Sequence, residues 1–329
     1  MITVATDKSV ADSNAKQRFL HGVARRLARA AGVALWVMVI AFGLIRLAPG
    51  DPVLARLGAE APPQAIERLR RELHLDVDPV TQFAEYAWGL LHGRLGTSIE
   101  TKRDVMDVIL ASLPVTLWII CVTVVLALAM AIPLALAVAM TRRAVVPYIF
   151  RASTSVLLAI PAFFTALIAL IVFGLHYGIA PIIGYAPGFP GNLYYLWLPA
   201  LVICTQLVPV LSRVLHSSII QTMGEEFVET GVIRGVSRLR YAWFYLLKPS
   251  LAPTIVLLSY MVGVMVGSTV IIETIFSLPG IGRSLVGAVI GRDYPLVQGI
   301  VLVFGLLVVA VSLIGDLLAN WLDPRVGLS

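Results

Sequence analysis

The chain has 329 residues, of which 59% are hydrophobic and 13% charged, about half the charged share usual in soluble domains. With a mean hydropathy of +0.90, it has too little polar surface to cover a water-exposed globule, whereas bilayer spans of roughly 20 apolar residues accommodate such a composition. The net charge of +6 is distributed as a membrane-topology signal, so a nucleic-acid partner is not needed to explain it.

Residues 1–29 read as a cytoplasmic tail carrying Lys8, Lys16, Arg18, Arg25, Arg26 and Arg29. The apolar run Ala30–Ala48 follows, and its length and the spans after it favour an uncleaved signal anchor over a cleaved leader. Residues 49–112 form the only sizeable outward segment. Acids outnumber bases there, and helical patterning around Gln64–His74, with Phe83, Tyr86 and Trp88 nearby, suggests a small cap of one or two helices. Further apolar runs lie at Leu113–Met140, Ser155–Gly174, Leu196–Val214, Thr254–Phe276 and Gly299–Leu322, making six candidate spans. None alternates with period two, so helices are expected rather than barrel strands.

Arg142, Arg143 and Arg151 fall between spans two and three, and Arg213, Arg234, Arg238, Arg240 and Lys248 fall around the link between spans four and five. The opposite loops are nearly free of bases: His176–Tyr195 has none and Ser277–Gln298 has only Arg283 and Arg292. This asymmetry places both termini, including residues 323–329, and the link at Glu225–Pro253 inside the cell. That link is polar, basic and helix-prone, and a membrane protein has little structural need for it. It reads as a handle for a soluble partner.

No catalytic constellation is legible. The four lysines sit outside any phosphate-cradling loop. The histidines His21, His74, His92, His176 and His216 are scattered, without metal-ligand spacing. Cys121 and Cys204 lie within apolar runs, as buried small residues do, and Ser284 lacks the second glycine of a nucleophile elbow.

Two ordered stretches carry a resemblance. Phe276-Ser277-Leu278-Pro279-Gly280-Ile281-Gly282-Arg283 and Gly291-Arg292-Asp293-Tyr294-Pro295-Leu296-Val297-Gln298-Gly299 resemble the outer hairpin of dipeptide, oligopeptide and nickel ABC-importer permeases. Arg46-Leu47-Ala48-Pro49-Gly50-Asp51-Pro52, Gly93-Arg94-Leu95-Gly96-Thr97-Ser98 and Asp323-Pro324-Arg325 are similar to the same family, although an acid commonly stands where Arg94 is. The resemblance marks Phe276, Pro279, Gly280, Gly282, Arg292, Asp293, Tyr294 and Pro295 as an outer signature or gate.

It also identifies the handle. Such permeases carry Glu-Ala-Ala, three residues, then Gly; Glu229, Thr230, Gly231 and Gly235 occupy those positions, with Thr and Gly departing from the pattern and Pro249 one position late. The implied role is a coupling helix, with Glu225, Glu226, Glu229, Thr230, Gly231, Arg234 and Gly235 facing a nucleotide-binding subunit. Small residues let a helix sit close to a partner, and Gly235 permits a sharp turn with close backbone approach. In the fifth span Gly263 and Gly267 form a Gly-x-x-x-Gly face, suited either to packing or to the path. Glu273 either lines the outer mouth of the path or sits at headgroup level, since an acid deep in lipid costs roughly 3 kcal/mol.

The resemblance therefore implies an all-α polytopic membrane protein with six transmembrane helices, of the type I ABC-importer permease architecture, in a bacterial inner membrane. It implies a second homologous permease, two ATP-binding subunits or domains holding ATP and Mg, an extracytoplasmic substrate-binding protein, surrounding lipid and short peptides as cargo. This chain itself would hold no cofactor, metal or catalytic residue. Nickel chelates or glutathione are alternative cargoes. A self-sufficient carrier or channel is the alternative from another class, although the chain lacks the internal repeat around an ionisable site that such carriers usually show.

Overall fold

A computed structural model describes residues 31–43, 61–72 and 77–322, together with Ala28, Val53 and Gly58. Most of residues 1–29, residues 44–48 of the first predicted span, the Arg46–Pro52 stretch and Asp323-Pro324-Arg325 lie outside the described residues.

The described chain is almost entirely helical. Helix α1 is Ala31–Gly43, followed by α2 at Pro63–Glu72 and α3 at Pro79–Leu91. Asp78 caps α3 by accepting from the backbone N–H groups of Val80 and Thr81 at 3.1 and 3.0 Å, as N-cap aspartates do. The Thr81 hydroxyl, donating at 2.6 Å, contributes most to holding this carboxyl below the usual range. Phe83 and Tyr86 of α3 meet Phe42 of α1, with ring centroids 5.1 and 5.8 Å apart. Residues 61–72 and 77–91 thus supply two helices where the sequence suggested a cap.

Helix α4, Val105–Ala139, begins well before the predicted Leu113 because Asp104 caps it from the Met106 N–H. At a rise of 1.5 Å per residue it is about 52 Å long, more than a hydrocarbon core of ~30 Å requires. Helix α7, Leu193–Met223, packs against α4 and is the most deeply buried of the long helices. Helix α9 runs Arg238–Ile275, α10 covers Ile281–Ile290, and α11 covers Tyr294–Leu322 packed along α9. Four of these helices are long and apolar enough to cross a membrane.

The predicted third span, Ser155–Gly174, is not one straight helix. Helix α5 is Val145–Ala159 and α6 begins at Ala162, with an 88° bend between them. Proline enforces the break: Ile160 before Pro161 is extended, with ψ 119, because the proline ring disfavours helical geometry at the preceding residue. Helix α6 continues through a wide π turn, Leu170–His176. Counted as one span, the bent pair makes a fifth crossing. The first predicted span, Ala30–Ala48, is represented among the described residues by α1, which at about 20 Å covers part of a bilayer.

The link between spans four and five is also shorter than the predicted Glu225–Pro253. Only residues 224–237 lie between the two long helices, and they contain the short helix α8, Glu226–Ile233. From Arg238 onward the chain is already helical, passing Pro249 by a π turn at Tyr241–Leu247. A proline removes one N–H and crowds the carbonyl four residues back. Widening the preceding turn relieves both effects without ending the helix.

Three apolar clusters stack along the bundle. The central one joins α4, α6, α7 and α9 through Ile119, Ala166, Leu207, Leu211 and Met265. A second gathers Ala135, Ala139, Leu215, Ile219, Val228, Leu246 and Leu247 at the α8 end. A third gathers Val105, Ile109, Ile281, Ala288, Leu296 and Ile300 at the other end. The exterior remains apolar at Leu110, Val125, Ile171 and Ile314. Lipid solvates such side chains as well as protein does, so the bundle is held by close packing and internal hydrogen bonds.

Candidate functional site

The sequence-predicted residues separate into two groups at opposite ends of α4. At one end, α8 seats Val228 in the second cluster and turns Glu225, Glu226, Glu229 and Thr230 outward. Glu226 and Glu229 lie in the first turn, where carboxylates complement the helix dipole, and the Thr230 hydroxyl donates back to the Glu226 carbonyl at 3.1 Å. Gly231 faces inward: a Cβ there would fall 2.7 Å from the Tyr245 ring. Gly235 makes the sharp turn that the sequence suggested. No atom lies within 4 Å of a Cβ built on it, so close approach is not what requires glycine in this chain; its φ of +65° is.

Two residues that sequence reasoning passed over stand beside this turn. Ile233 is 85% exposed and Leu239 is 82% exposed, flanked by exposed Arg234, Arg238 and Arg240. The available signal was two aliphatic residues bracketing a glycine in an otherwise polar link. The result is an apolar tip with acids on one side and bases on the other.

At the opposite end, segments far apart in sequence interlock. Asp293 is fully buried. It accepts a short hydrogen bond from the Ser98 hydroxyl and one from the Glu100 N–H at 3.1 Å, and it caps α11 through the Leu296 N–H at 3.3 Å. Ser98 in turn accepts from the Thr101 N–H and hydroxyl at 3.0 and 2.8 Å. The Gly93–Ser98 and Gly291–Gly299 stretches, read separately from the sequence, therefore form one clamp. Pro295 occupies the first turn of α11, where a missing N–H costs nothing, while Arg292 is exposed with φ 53° and Tyr294 is half-buried.

Glu273 is fully buried as well. Its carboxylate accepts from the Thr116 hydroxyl of α4 at 2.7 Å and from the Arg283 N–H at 3.1 Å. Thr116 accepts from the Ile281 N–H at 3.0 Å. Together they cap the N-terminus of α10, where unpaired N–H groups and the helix dipole favour an anion. Gly280 and Gly282 pass so close that a Cβ on Gly280 would meet the Glu273 carboxyl, and one on Gly282 would lie 2.5 Å from the Val270 Cα. Phe276 and Leu278 are buried beneath this cap, and Pro279 is exposed. Of the Gly-x-x-x-Gly pair, Gly263 packs on α11, with Val308 3.3 Å from its built Cβ; Gly267 is exposed with nothing within 4 Å.

Comparison with known proteins accounts for most of the chain. Residues 131–328 match the family described as binding-protein-dependent transport system inner membrane component, and residues 18–123 match the N-terminal part of such membrane components. A putative peptide transport system permease protein of Brucella suis biovar 1 is 32% identical over 92% of this chain and 98% of its own length. The dipeptide transport system permease protein DppB of Escherichia coli (strain K12) is 27% identical over 93% of this chain and 98% of its own. A probable peptide ABC transporter permease protein of Sinorhizobium fredii is 27% identical over 92% and 98%. The chain thus belongs to the family of binding-protein-dependent transport system inner membrane components.

Proposed function

We propose that this chain is one of two permeases in an ABC importer for short peptides, with ATP hydrolysed on separate subunits and cargo delivered by an external binding protein. The observation that carries the reading is the handle: a short helix whose acidic face, basic flank and bare aliphatic tip at Ile233 and Leu239 suit a protein groove better than water. The second permease would lie along the exposed stripe of α9 formed by Tyr260, Val264, Gly267, Ser268 and Ile271. Its helical spacing and small polar members suit a helix interface bordering an aqueous path. Peptide cargo is supported by the transport named for the relatives. Closure of the ATP-bound motors would pull the handle and favour the outward-facing state, a population shift carried by a rigid helix.

In proteoliposomes, the chain with its second permease, motors and binding protein is expected to accumulate a labelled dipeptide or tripeptide only when ATP is supplied. The purified chain alone is expected to hydrolyse no ATP. Uptake without motor subunits, or saturable hydrolysis by the chain alone, defeats the proposal.

Orientation rests on the arginine asymmetry. Thr97 and Ser237 are both exposed, at opposite ends of the bundle. Cysteines placed there, in a background lacking Cys121 and Cys204, should label from opposite faces: Thr97→Cys in intact spheroplasts, Ser237→Cys only after permeabilisation. Labelling of both from one face would overturn the topology.

A further inference from the structure

A pocket of about 510 Å³ lies between α5 and α7, apart from both groups of residues described above, and Phe150, Arg151, Ser155, Arg213, His216 and Ile220 line it. Arg213 is held rigidly. Its Nε donates to the Thr154 hydroxyl at 2.7 Å, and its Nη2 donates to the Arg151 carbonyl at 2.8 Å and the Ser155 hydroxyl at 2.6 Å. These contacts fix the guanidinium plane, and Nη1 has no protein acceptor among the described residues. Arg151 is exposed and pairs with no carboxylate among the described residues. The ring of His216 sits against Phe150 at 5.6 Å. Two guanidinium groups and a histidine thus converge on a cavity without an anion to balance them. A preorganised arginine with donors to spare is the usual recognition element for a phosphate.

The surroundings indicate the source of that phosphate. Arg213 lies about 30 Å along α7 from Leu193 at the helical rise, which is the thickness of a hydrocarbon core and puts the guanidinium at headgroup depth. The flanks are bare and apolar: Tyr148 is 75%, Val156 62%, Ile149 58% and Ile220 48% exposed. Helix α5 is turned 88° from α6, so the two do not both run along the bilayer normal. We propose that this pocket binds the phosphate of an anionic phospholipid, with Arg213 Nη1 and the Arg151 guanidinium as anion contacts and the acyl chains against the apolar flank. A choline headgroup would bring its own cation against both arginines, which disfavours zwitterionic lipid.

The test is lipid retention by the assembled transporter in detergent, read by native mass spectrometry after adding dioleoyl phosphatidylglycerol or dioleoyl phosphatidylcholine. The anionic lipid is expected to be retained about tenfold more strongly, and Arg213→Gln to weaken that retention about fivefold. Arg151→Gln is expected to do the same. It is the safer variant, because the Arg151 side chain is exposed and its backbone carbonyl still orients Arg213. Arg142→Gln, exposed on the preceding link, should leave retention unchanged and so separates a site from general charge. Equal retention of the two lipids, or full retention by Arg151→Gln, overturns the proposal. Displacement of the lipid by an equal concentration of inorganic phosphate would make this a soluble-anion site, and displacement by a dipeptide would place it on the cargo's route; either result overturns it too.

Discussion

Gly231→Leu should uncouple the protein, lowering transport by more than about tenfold while its abundance in the membrane stays near normal, because the clash displaces the short helix α8 and leaves the long helices packed on one another. The cause is local. A Cβ on Gly231 falls 2.7, 2.8 and 3.1 Å from three atoms of the Tyr245 ring, and Tyr245 is itself stacked on Tyr241 at 6.2 Å. Leucine adds further atoms beyond that Cβ, so the half-buried ring and α8 have to move apart. Ile233 and Leu239 flank the next turn, and lifting α8 would move Ile233, and with it the apolar tip proposed to seat in the motor. Val228 would lose its place in the second cluster, a modest cost beside the total packing of the bundle. The measurement is peptide uptake alongside the motor subunit co-purifying with each variant. Tyr245→Ala in the Gly231→Leu background should restore much of both, because it removes the atoms the leucine meets. Full uptake by Gly231→Leu alone would mean that α8 does not transmit work.

Gly235 behaves differently in the same experiment. With nothing of this chain within 4 Å of a Cβ, bulk meets no obstacle in the permease itself, and backbone conformation is what its fold requires there. Asn visits the left-handed region with little penalty, whereas a β-branched residue does not. Gly235→Asn should therefore transport nearly normally and Gly235→Val poorly.

The contrast between these two glycines shows where sequence reasoning stops. The pattern Glu229, Thr230, Gly231, Gly235 located the element, but nothing in the chain's order tells which glycine meets a ring and which bends the backbone. The apolar spans were legible because composition alone forces helices in lipid. Their ends were not, because Pro249 looks like a helix boundary and is absorbed by a π turn, whereas Pro161 looks like a tolerated kink and produces an 88° bend. Both outcomes depend on whether neighbouring turns can widen, which a single sequence does not record. The Gly93–Ser98 and Gly291–Gly299 stretches were legible separately. That Asp293 ties one to the other through Ser98, 195 positions away, follows only from the third dimension.

Glu273 should prove to be a stabilising residue of the bundle rather than a contact for cargo. Sequence reasoning could price an acid in lipid but could not see Thr116 on another helix, nor the N–H groups of α10 folding back over it. Glu273→Leu removes the acceptor and strands the Arg283 N–H and the Thr116 hydroxyl in an apolar setting. Such losses cost about 1–3 kcal/mol for each unsatisfied group, so the variant should unfold several degrees earlier in detergent and accumulate to a lower level. Glu273→Gln keeps one carbonyl oxygen as an acceptor and should lie between Leu and the native residue. A residue lining the path would behave in the opposite way, leaving the unfolding midpoint untouched while changing uptake. Gly280 gives a second handle on the same contact, because a Cβ there meets the Glu273 carboxyl. Gly280→Ala should be strongly destabilising in the native background and much less so beside Glu273→Ala, where the space is vacant. That non-additivity is the mark of two residues sharing one contact. If the two substitutions add independently, or if Glu273→Leu keeps the native midpoint, the carboxylate does not hold the cap on α10.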